Sequence, residues 1–209
     1  MTIEKQIALD LLMVEAVSLR PHQPFTWASG IKSPIYCDNR VTLSYPDVRE
    51  RITDAFVALI KDKFCDVDVI AGVATAGIPQ AALVAQKLNL PMVYVRSKAK
   101  DHGKENLVEG RILQGQKAIV IEDLISTGGS VLVAVDALKE MGVEVLSVCA
   151  IFTYLLPKAT ASFEAHATRL ETLSNYDALM EVALEKNLIK EEDQETLKLW
   201  KKDPASWLV

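Results

Sequence analysis

The chain lacks the runs and residues that mark several classes of protein. No stretch reaches the roughly 18 consecutive apolar residues that span a bilayer, although 50% of the 209 residues are hydrophobic. The three cysteines, Cys37, Cys65 and Cys149, have neither the even number of a disulfide framework nor a metal-binding spacing. The first 20 residues are acidic and amphipathic, so we expect no signal peptide. Together these features predict a cytoplasmic protein without a membrane segment.

Excess positive charge is also lacking. The 23 Lys and Arg residues are outnumbered by 28 Asp and Glu residues, which leaves a formal net charge of −5. Proteins whose main role is to bind nucleic acid usually carry a basic face, so this balance argues against that class. The chain shows no low-complexity segment or internal repeat. Its length therefore predicts one domain with a substantial core.

The most informative stretch is a strand, a turn and a helix in the middle of the chain. The β-branched apolar run 118–121 predicts a buried parallel strand, which we expect to end on the adjacent carboxylates Glu122 and Asp123. A turn of small residues follows, and the apolar spacing of residues 131–141 predicts a helix. This order places the turn at the carboxyl edge of a parallel sheet, where such sheets bind ligands.

The turn has the composition of a phosphate cradle. Glycines and small hydroxyl residues let backbone N–H groups approach an anion at a helix N-terminus, where the helix dipole favours negative charge. Two carboxylates would repel a phosphate, so they predict a ligand that also offers ribose hydroxyls or brings a divalent cation. The alternative is an ordinary turn beside two solvated acids. The candidate residues are Glu122, Asp123, Leu124, Ile125, Ser126, Thr127, Gly128, Gly129 and Ser130.

A second strand, turn and helix precede this one. Residues 67–72 predict a strand, and the following turn contains Thr75 and Ala76 before a helix that runs to Leu88. Such a turn can admit a phosphate, although turns of small residues also occur for packing alone. Helices between successive strands predict right-handed crossovers and a mostly parallel sheet. Further strands are predicted over residues 91–95, 143–152 and 169–173.

Between the two turns lies a segment with too few apolar side chains to pack into the core. From Arg96 to Asn106 no apolar residue is larger than alanine, so we predict a flexible solvated loop over residues 96–110. A run of charges is usually only a solvated surface, but its place between two phosphate-type turns favours a lid that closes over a polyanion. The candidate lid residues are Arg96, Lys100, His102 and Lys104.

Taken together, these stretches resemble the orotate phosphoribosyltransferases of the type I phosphoribosyltransferase family over nearly the whole chain. Glu122 to Ser130 resembles the phosphoribosyl pyrophosphate motif of the type I family. Ser29 to Pro34 and the loop segment Lys100 to Gly103 resemble the stretches that separate orotate enzymes from purine-using relatives. Some relatives carry lysines at two positions where this chain has Ser97 and Ala76. The resemblance therefore implies that the remaining lid cations contribute more to the binding of pyrophosphate.

The resemblance implies an α/β fold of the type I phosphoribosyltransferases. A central, mostly parallel sheet would be flanked by helices, with a small N-terminal hood. Residues 1–209 would form one phosphoribosyltransferase domain. About residues 1–40 would contribute to the hood, and about residues 174–209 would form a C-terminal helical pair capped at Ser174.

The resemblance also implies a reaction and its participants. Orotate and phosphoribosyl pyrophosphate would give orotidine 5′-monophosphate and pyrophosphate, a step of de novo pyrimidine (UMP) biosynthesis. The cofactor would be Mg²⁺, held mainly by substrate and water rather than by a protein metal site. The enzyme would be a homodimer in which the flexible loop 96–110 of one subunit closes over the site of the other, with no nucleic-acid partner.

Each candidate residue receives a role from the resemblance. Arg96, Lys100, His102 and Asp123 would be catalytic, and Ser126, Lys32 and Tyr36 would bind orotate. Phosphoribosyl pyrophosphate would be bound by Thr75, Ala76, Arg96, Lys100, His102, Lys104, Glu122, Asp123, Leu124, Ile125, Ser126, Thr127, Gly128, Gly129 and Ser130.

Two other functions fit parts of the pattern. A phosphoribosyltransferase that uses a purine or uracil would keep the same central motif and differ in the hood. A regulator that keeps the fold as a sensor and binds nucleic acid would show a basic face or an added module, and it would have no leaving group for lid cations to stabilise.

Overall fold

A computed structural model describes residues 1–27, 30–96 and 107–207. The strands are β1 (Val17–Leu19), β2 (Phe25–Thr26), β3 (Lys32–Ser33), β4 (Ile35–Cys37), β5 (Val69–Val73), β6 (Met92–Val95), β7 (Val108–Glu109), β8 (Lys117–Ile125), β9 (Glu144–Thr153) and β10 (Leu170–Asn175). The α-helices are α1 (Ile3–Met13), α2 (Pro46–Lys63), α3 (Gly77–Leu88), α4 (Gly129–Glu140), α5 (Pro157–Ala165), α6 (Tyr176–Glu185) and α7 (Gln194–Lys202). Two short 3-10 helices span Asn39–Ser44 and Glu191–Asp193.

Six strands form the central sheet, in the order β10-β9-β8-β5-β6-β7. The pairs from β10 to β6 are parallel, and β7 joins the edge antiparallel to β6. Helix α3 connects β5 to β6, α4 connects β8 to β9, and α5 connects β9 to β10. The predicted mostly parallel sheet flanked by helices is confirmed. The parallel arrangement brings the carboxyl ends of β5, β6 and β8 to one edge of the sheet.

Both faces of the sheet are covered, as the apolar run 118–121 within β8 predicts. Ile119 and Ile121 belong to a core shared with α1, α2, α3 and α6, whereas Ala118 and Val120 belong to a second core under α4 and α5. Successive strand residues point to opposite faces, which explains this division. None of the helices in the described ranges is long and apolar enough to cross a membrane.

Local sequence explains how the main helices begin and end. Pro46 opens α2, where its missing N–H costs nothing, and apolar residues such as Ile52 and Phe56 then face the core at helical spacing. Helix α3 stops at Asn89, which adopts the left-handed conformation with φ 55°. These features fix the helices that cover one face of the sheet next to its carboxyl edge.

Two small antiparallel pairs, β1 with β4 and β2 with β3, lie in the segment predicted to contribute to the hood, which we call the hood below. Trp27, between β2 and β3, packs against Tyr154 and Trp200 at ring-centroid distances of 5.5 and 5.7 Å. The indole N–H of Trp200 also donates to the Lys32 carbonyl at 3.1 Å. The hood is therefore fixed to the ends of β9 and α7 through aromatic contacts.

The structure corrects three details of the sequence prediction. Strand β8 continues through Glu122 and Asp123 to Ile125 instead of ending on the acids, because β9 keeps pairing with it. The cap of α6 is Asn175, which accepts from the Ala178 N–H at 3.0 Å, and not Ser174. The end of the predicted loop 96–110 is a strand, β7.

Candidate active site

The site begins where the two neighbours of β8 differ in length. On one side, the ladder with β5 has its last partners at Gly72 and Ile121. On the other side, the ladder with β9 continues to Ile125 and Thr153. The end of β8 therefore has one strand partner in the described part of the chain. In the same ranges, its other edge is contacted by the side chain of Asn39 instead of a strand, and the two acids lie on this segment.

Glu122 and Asp123 form a crowded pair of carboxyl groups. Glu122 is 6% exposed, and Asp123 is half-buried. The Asp123 backbone N–H donates to Glu122 Oε1 at 2.9 Å. Across the described residues, no Lys or Arg side chain forms an ion pair with either acid. Within the described ranges the pair therefore lacks the direct ion pair that usually accompanies buried carboxylates.

Burial determines the protonation of this pair. Burial, followed by the hydrogen bond with Asp123, raises the pKa of Glu122 to about 9. Burial also raises the pKa of Asp123, whereas the bond with Glu122, backbone N–H groups and Arg40 act in the opposite direction. Two adjacent carboxyl groups that share one bond hold one proton between them near neutrality. Because burial acts more strongly on Glu122, we assign the proton to Glu122 and the charge to Asp123.

The turn after β8 leaves the N-terminus of α4 accessible. Gly128 has φ 83°, a conformation that favours glycine, and an added Cβ would lie 2.9 Å from the Phe163 ring. Gly129 faces open space, and among the described residues no side chain caps this helix. The first N–H groups of a helix lack internal partners, so this turn is suited to bind an anion such as phosphate.

The second turn lies beside the first, since β5 and β8 are neighbours. Thr75 is exposed and Ala76 is half-buried, and the peptide bond between Ala74 and Thr75 is cis. Helix α3 begins so close to β8 that a Cβ on Gly77 would collide with the Ile121 carbonyl oxygen. The predicted placement of both turns at one edge of the sheet is confirmed.

The structure places one of the four lid cations. Arg96 follows β6, and its N–H donates to the Leu107 carbonyl at 2.9 Å. Its guanidinium Nη1 is 3.6 Å from a carboxylate oxygen of Glu109, and this buried atom makes no hydrogen bond to a described residue. Lys100, His102 and Lys104 lie outside the described residues, as does Ser97. Their lid role remains a prediction.

Two of the orotate candidates, Lys32 and Tyr36, contact adjacent residues of β2. Lys32 Nζ donates to Thr26 Oγ1 at 2.8 Å. Tyr36 is 46% exposed, and its ring centroid is 5.6 Å from that of Phe25. Neither side chain is committed to a buried ion pair in the described residues, so both can turn toward a ligand.

Sequence reasoning missed two residues that join the hood to β8 and β9. Asn39 is 1% exposed and donates from Nδ2 to the Asp123 carbonyl at 2.7 Å. Buried Tyr154 forms a hydrogen bond with the Cys37 backbone, while burial raises its pKa. The available signal was the polar run 38–40 directly after an apolar strand, which indicates the start of a new element but not its distant partner.

Comparisons with known proteins agree with this geometry. The family model described as phosphoribosyl transferase domain matches residues 44–182. The orotate phosphoribosyltransferase of Enterococcus faecalis is 62% identical over 205 residues, 98% of each chain. That of Listeria monocytogenes is 61% identical over 207 residues, 99% of each chain. The crystal structure of orotate phosphoribosyltransferase from Aeropyrum pernix has a TM-score of 0.76 at 26% identity, covering 88% of this chain and 99% of that one.

The fold and the edge that carries the acids and the glycine turn define a type I phosphoribosyltransferase domain. Within that class, the chain belongs to the orotate phosphoribosyltransferase family.

Proposed function

We propose that the chain transfers the 5-phosphoribosyl group from phosphoribosyl pyrophosphate to orotate. The products are orotidine 5′-monophosphate and pyrophosphate, in de novo pyrimidine biosynthesis. The observation that carries this proposal is the acid pair Glu122 and Asp123, which forms no ion pair with a described cation and lies directly before the uncapped helix at Gly128. That arrangement suits a ligand with both hydroxyl donors and a phosphate.

The acids hold the ribose. Asp123 and Glu122 accept hydrogen bonds from the 2′- and 3′-hydroxyls, which fixes the sugar against the end of β8. Loss of pyrophosphate develops positive charge on the sugar, so the charged Asp123 stabilises the transition state more than the ground state. The backbone of Ser126 to Ser130 binds the 5′-phosphate, and this contact places the anomeric carbon.

The donor set of the site fits Mg²⁺ bound mainly through substrate. The described residues contain no group of three or more His, Cys, Asp and Glu that could hold a metal ion. Mg²⁺ usually binds one or two carboxylates together with waters and substrate phosphates. Glu122 and Asp123 can supply those carboxylate ligands. When bound, the ion neutralises charge on the pyrophosphate and orients it.

The lid cations act on the leaving group. Arg96 is placed at the carboxyl end of β6, on the same sheet edge as the acids. We assign to Arg96, Lys100, His102 and Lys104 the neutralisation of pyrophosphate, and to His102 a proton transfer that a histidine can make near neutral pH. Thr75 and Ala76 line the adjacent turn for the same diphosphate.

The base site lies between the hood and the cradle. The orotate ring binds between Tyr36 and Ser126, and Lys32 pairs with its carboxylate. The Lys32 ammonium is bound to a neutral hydroxyl, Thr26 Oγ1, which a carboxylate can replace. We place the working enzyme in the cytoplasm, where its three free cysteines remain reduced.

Pyrophosphate release from phosphoribosyl pyrophosphate tests the function directly. Release should depend on orotate and Mg²⁺, and adenine, guanine and uracil should not replace orotate. Release with adenine but not with orotate would assign the chain to a different base. Lys32→Ala should raise the KM for orotate with little change in the KM for phosphoribosyl pyrophosphate.

The homodimer with loop 96–110 acting across the interface has a separate test. A subunit carrying Lys100→Ala and a subunit carrying Asp123→Asn are mixed and allowed to exchange. If the loop acts on the partner's site, a mixed dimer has one site with both residues intact, and activity returns. If it acts within its own subunit, both sites of a mixed dimer stay defective and activity stays low.

A further inference from the structure

We propose that Asn39 is a positioning residue for phosphoribosyl transfer, acting through the main chain of Asp123. The inference rests on the proposed function and extends it to a residue that does not touch the substrate. Asn39 holds the acid-bearing end of β8 in register with the hood. It therefore sets the position of the carboxylate that binds the ribose.

The contact replaces a missing strand partner. After Ile121 the ladder with β5 ends, so the Asp123 carbonyl has no partner on that side from a strand of the described sheet. Asn39 Nδ2 donates to this oxygen at 2.7 Å across 84 positions of sequence. A buried carbonyl without a partner is costly, and this side chain satisfies it.

The orientation of the amide is fixed by its own neighbours. Cys37 Sγ donates to Asn39 Oδ1 at 3.3 Å, which leaves the Nδ2 end to donate to Asp123. Thr42 Oγ1 donates to the Asn39 carbonyl at 2.6 Å and fixes the backbone of the 3-10 helix. Burial raises the pKa of Cys37 well above its ordinary value, so the thiol stays protonated and remains a donor.

The same contact joins two halves of the site. Asn39 follows β4, which carries the orotate candidate Tyr36, and it binds the strand that carries the ribose acids. A displacement of about 1 Å at the reacting groups is enough to reduce turnover strongly. Loss of the contact should therefore weaken ribose binding and transition-state stabilisation together.

The main test replaces Asn39 by a side chain of similar size that cannot donate. Asn39→Leu should raise the Kd for Mg²⁺-bound phosphoribosyl pyrophosphate, measured by calorimetry, about tenfold, the equivalent of one lost hydrogen bond. Its kcat/KM should fall by a further factor of about three to ten, because the ribose contacts strengthen in the transition state. Asn39→Asp should be worse, since a carboxylate would face the Asp123 carbonyl.

A matched control separates positioning from general destabilisation. Thr53 is 2% exposed, and its hydroxyl donates to the Arg49 carbonyl within α2 at 2.8 Å. Thr53→Val removes a buried hydrogen bond of similar kind on another helix. It should lower the unfolding temperature comparably and leave kcat/KM and the Kd within twofold of wild type.

The outcomes are distinct. Wild-type Kd and kcat/KM in folded Asn39→Leu would overturn the inference, as would equal kinetic losses in Thr53→Val. If Asn39→Leu does not fold, Cys37→Ala provides the second variant. It frees the amide to rotate and should raise the Kd two- to threefold, and an unchanged Kd would count against the inference. If wild type releases no pyrophosphate with orotate, the proposed function fails, while the Kd comparison still decides the role of Asn39.

Discussion

Two regions of the molecule bury acidic side chains, and they satisfy them in opposite ways. Asp10 on α1 has a side chain 8% exposed, and Arg51 of α2 binds it with two hydrogen bonds of 2.9 and 2.8 Å. Gln6 adds a third bond at 3.2 Å. Glu122 is also buried and Asp123 is half-buried, yet in the described chain neither forms an ion pair, and Arg40 acts on Asp123 only without direct contact.

The presence or absence of an arginine partner distinguishes an acid that stabilises the fold from acids that are suited to bind a ligand. A buried carboxylate with a two-bond arginine partner has its charge compensated within the protein. A carboxyl pair without such a partner raises the free energy of the folded state, and a cation or hydroxyl groups from outside can relieve that cost. The predictions below test whether this division holds.

The largest expected effect is on turnover. Asp123→Asn removes the charge that faces the developing positive charge on the ribose, and kcat should fall by roughly 10²–10³. Asp10→Asn changes a more deeply buried acid on α1, and its kcat should stay within twofold of wild type. Steady-state kinetics on both variants measure the contrast. A similar loss in both would show that any buried acid matters equally.

The next effect is on stability, and its sign depends on pH. Glu122 has a folded-state pKa of about 9, above the ordinary value of 4.5, so the folded state binds the proton more tightly. The stabilisation from the protonated Glu122 side chain is fully present below about pH 4.5 and is lost as pH rises toward 9. Glu122→Gln cannot ionise. At pH 8 it should be more stable than wild type by about 4–5 kcal/mol, and the difference should shrink to about 1 kcal/mol or less at pH 5.

Thermal unfolding between pH 5 and pH 8 measures this difference. Because glutamine resembles the protonated acid, turnover of Glu122→Gln at pH 7 should remain within about tenfold of wild type. A stability difference independent of pH would show that Glu122 is already ionised in the folded protein. The proton would then have to reside on Asp123 or be absent from the pair.

The sequence predicted those parts of the fold and site that depend on neighbouring residues. The β-branched run before Glu122 and the glycines after it are local signals, and they located the central strand, the turn and α4. The family resemblance then supplied the reaction. The parallel direction of the strands followed from the connecting helices, because parallel strands require crossovers.

The corrected or missed details depend on contacts between distant residues. Strand β8 runs past the acids because β9 pairs with it, and no propensity near Asp123 encodes that partner. Asn175 caps α6 because the Ser174 hydroxyl donates to the Glu4 carbonyl at 2.8 Å. The contact of Asn39 with Asp123 likewise spans 84 positions. Such pairings appear only when the tertiary fold brings the groups together.

The smallest effect concerns the paired acid. Arg51→Ala leaves Asp10 buried with Gln6 as its remaining side-chain partner, and the free energy of unfolding should fall by about 1 kcal/mol. This is less than the 3–5 kcal/mol typical of fully buried pairs, since the Arg51 side chain is 44% exposed and water screens it. Urea denaturation measures the loss, with turnover of the folded enzyme unchanged.

Lys87→Ala, which breaks exposed pairs with Glu50 and Asp54, is the matched control and should leave the urea midpoint unchanged. A fall in kcat for Arg51→Ala would mean that the α1–α2 contact reaches the catalytic edge, and the separation between the two acidic regions would fail.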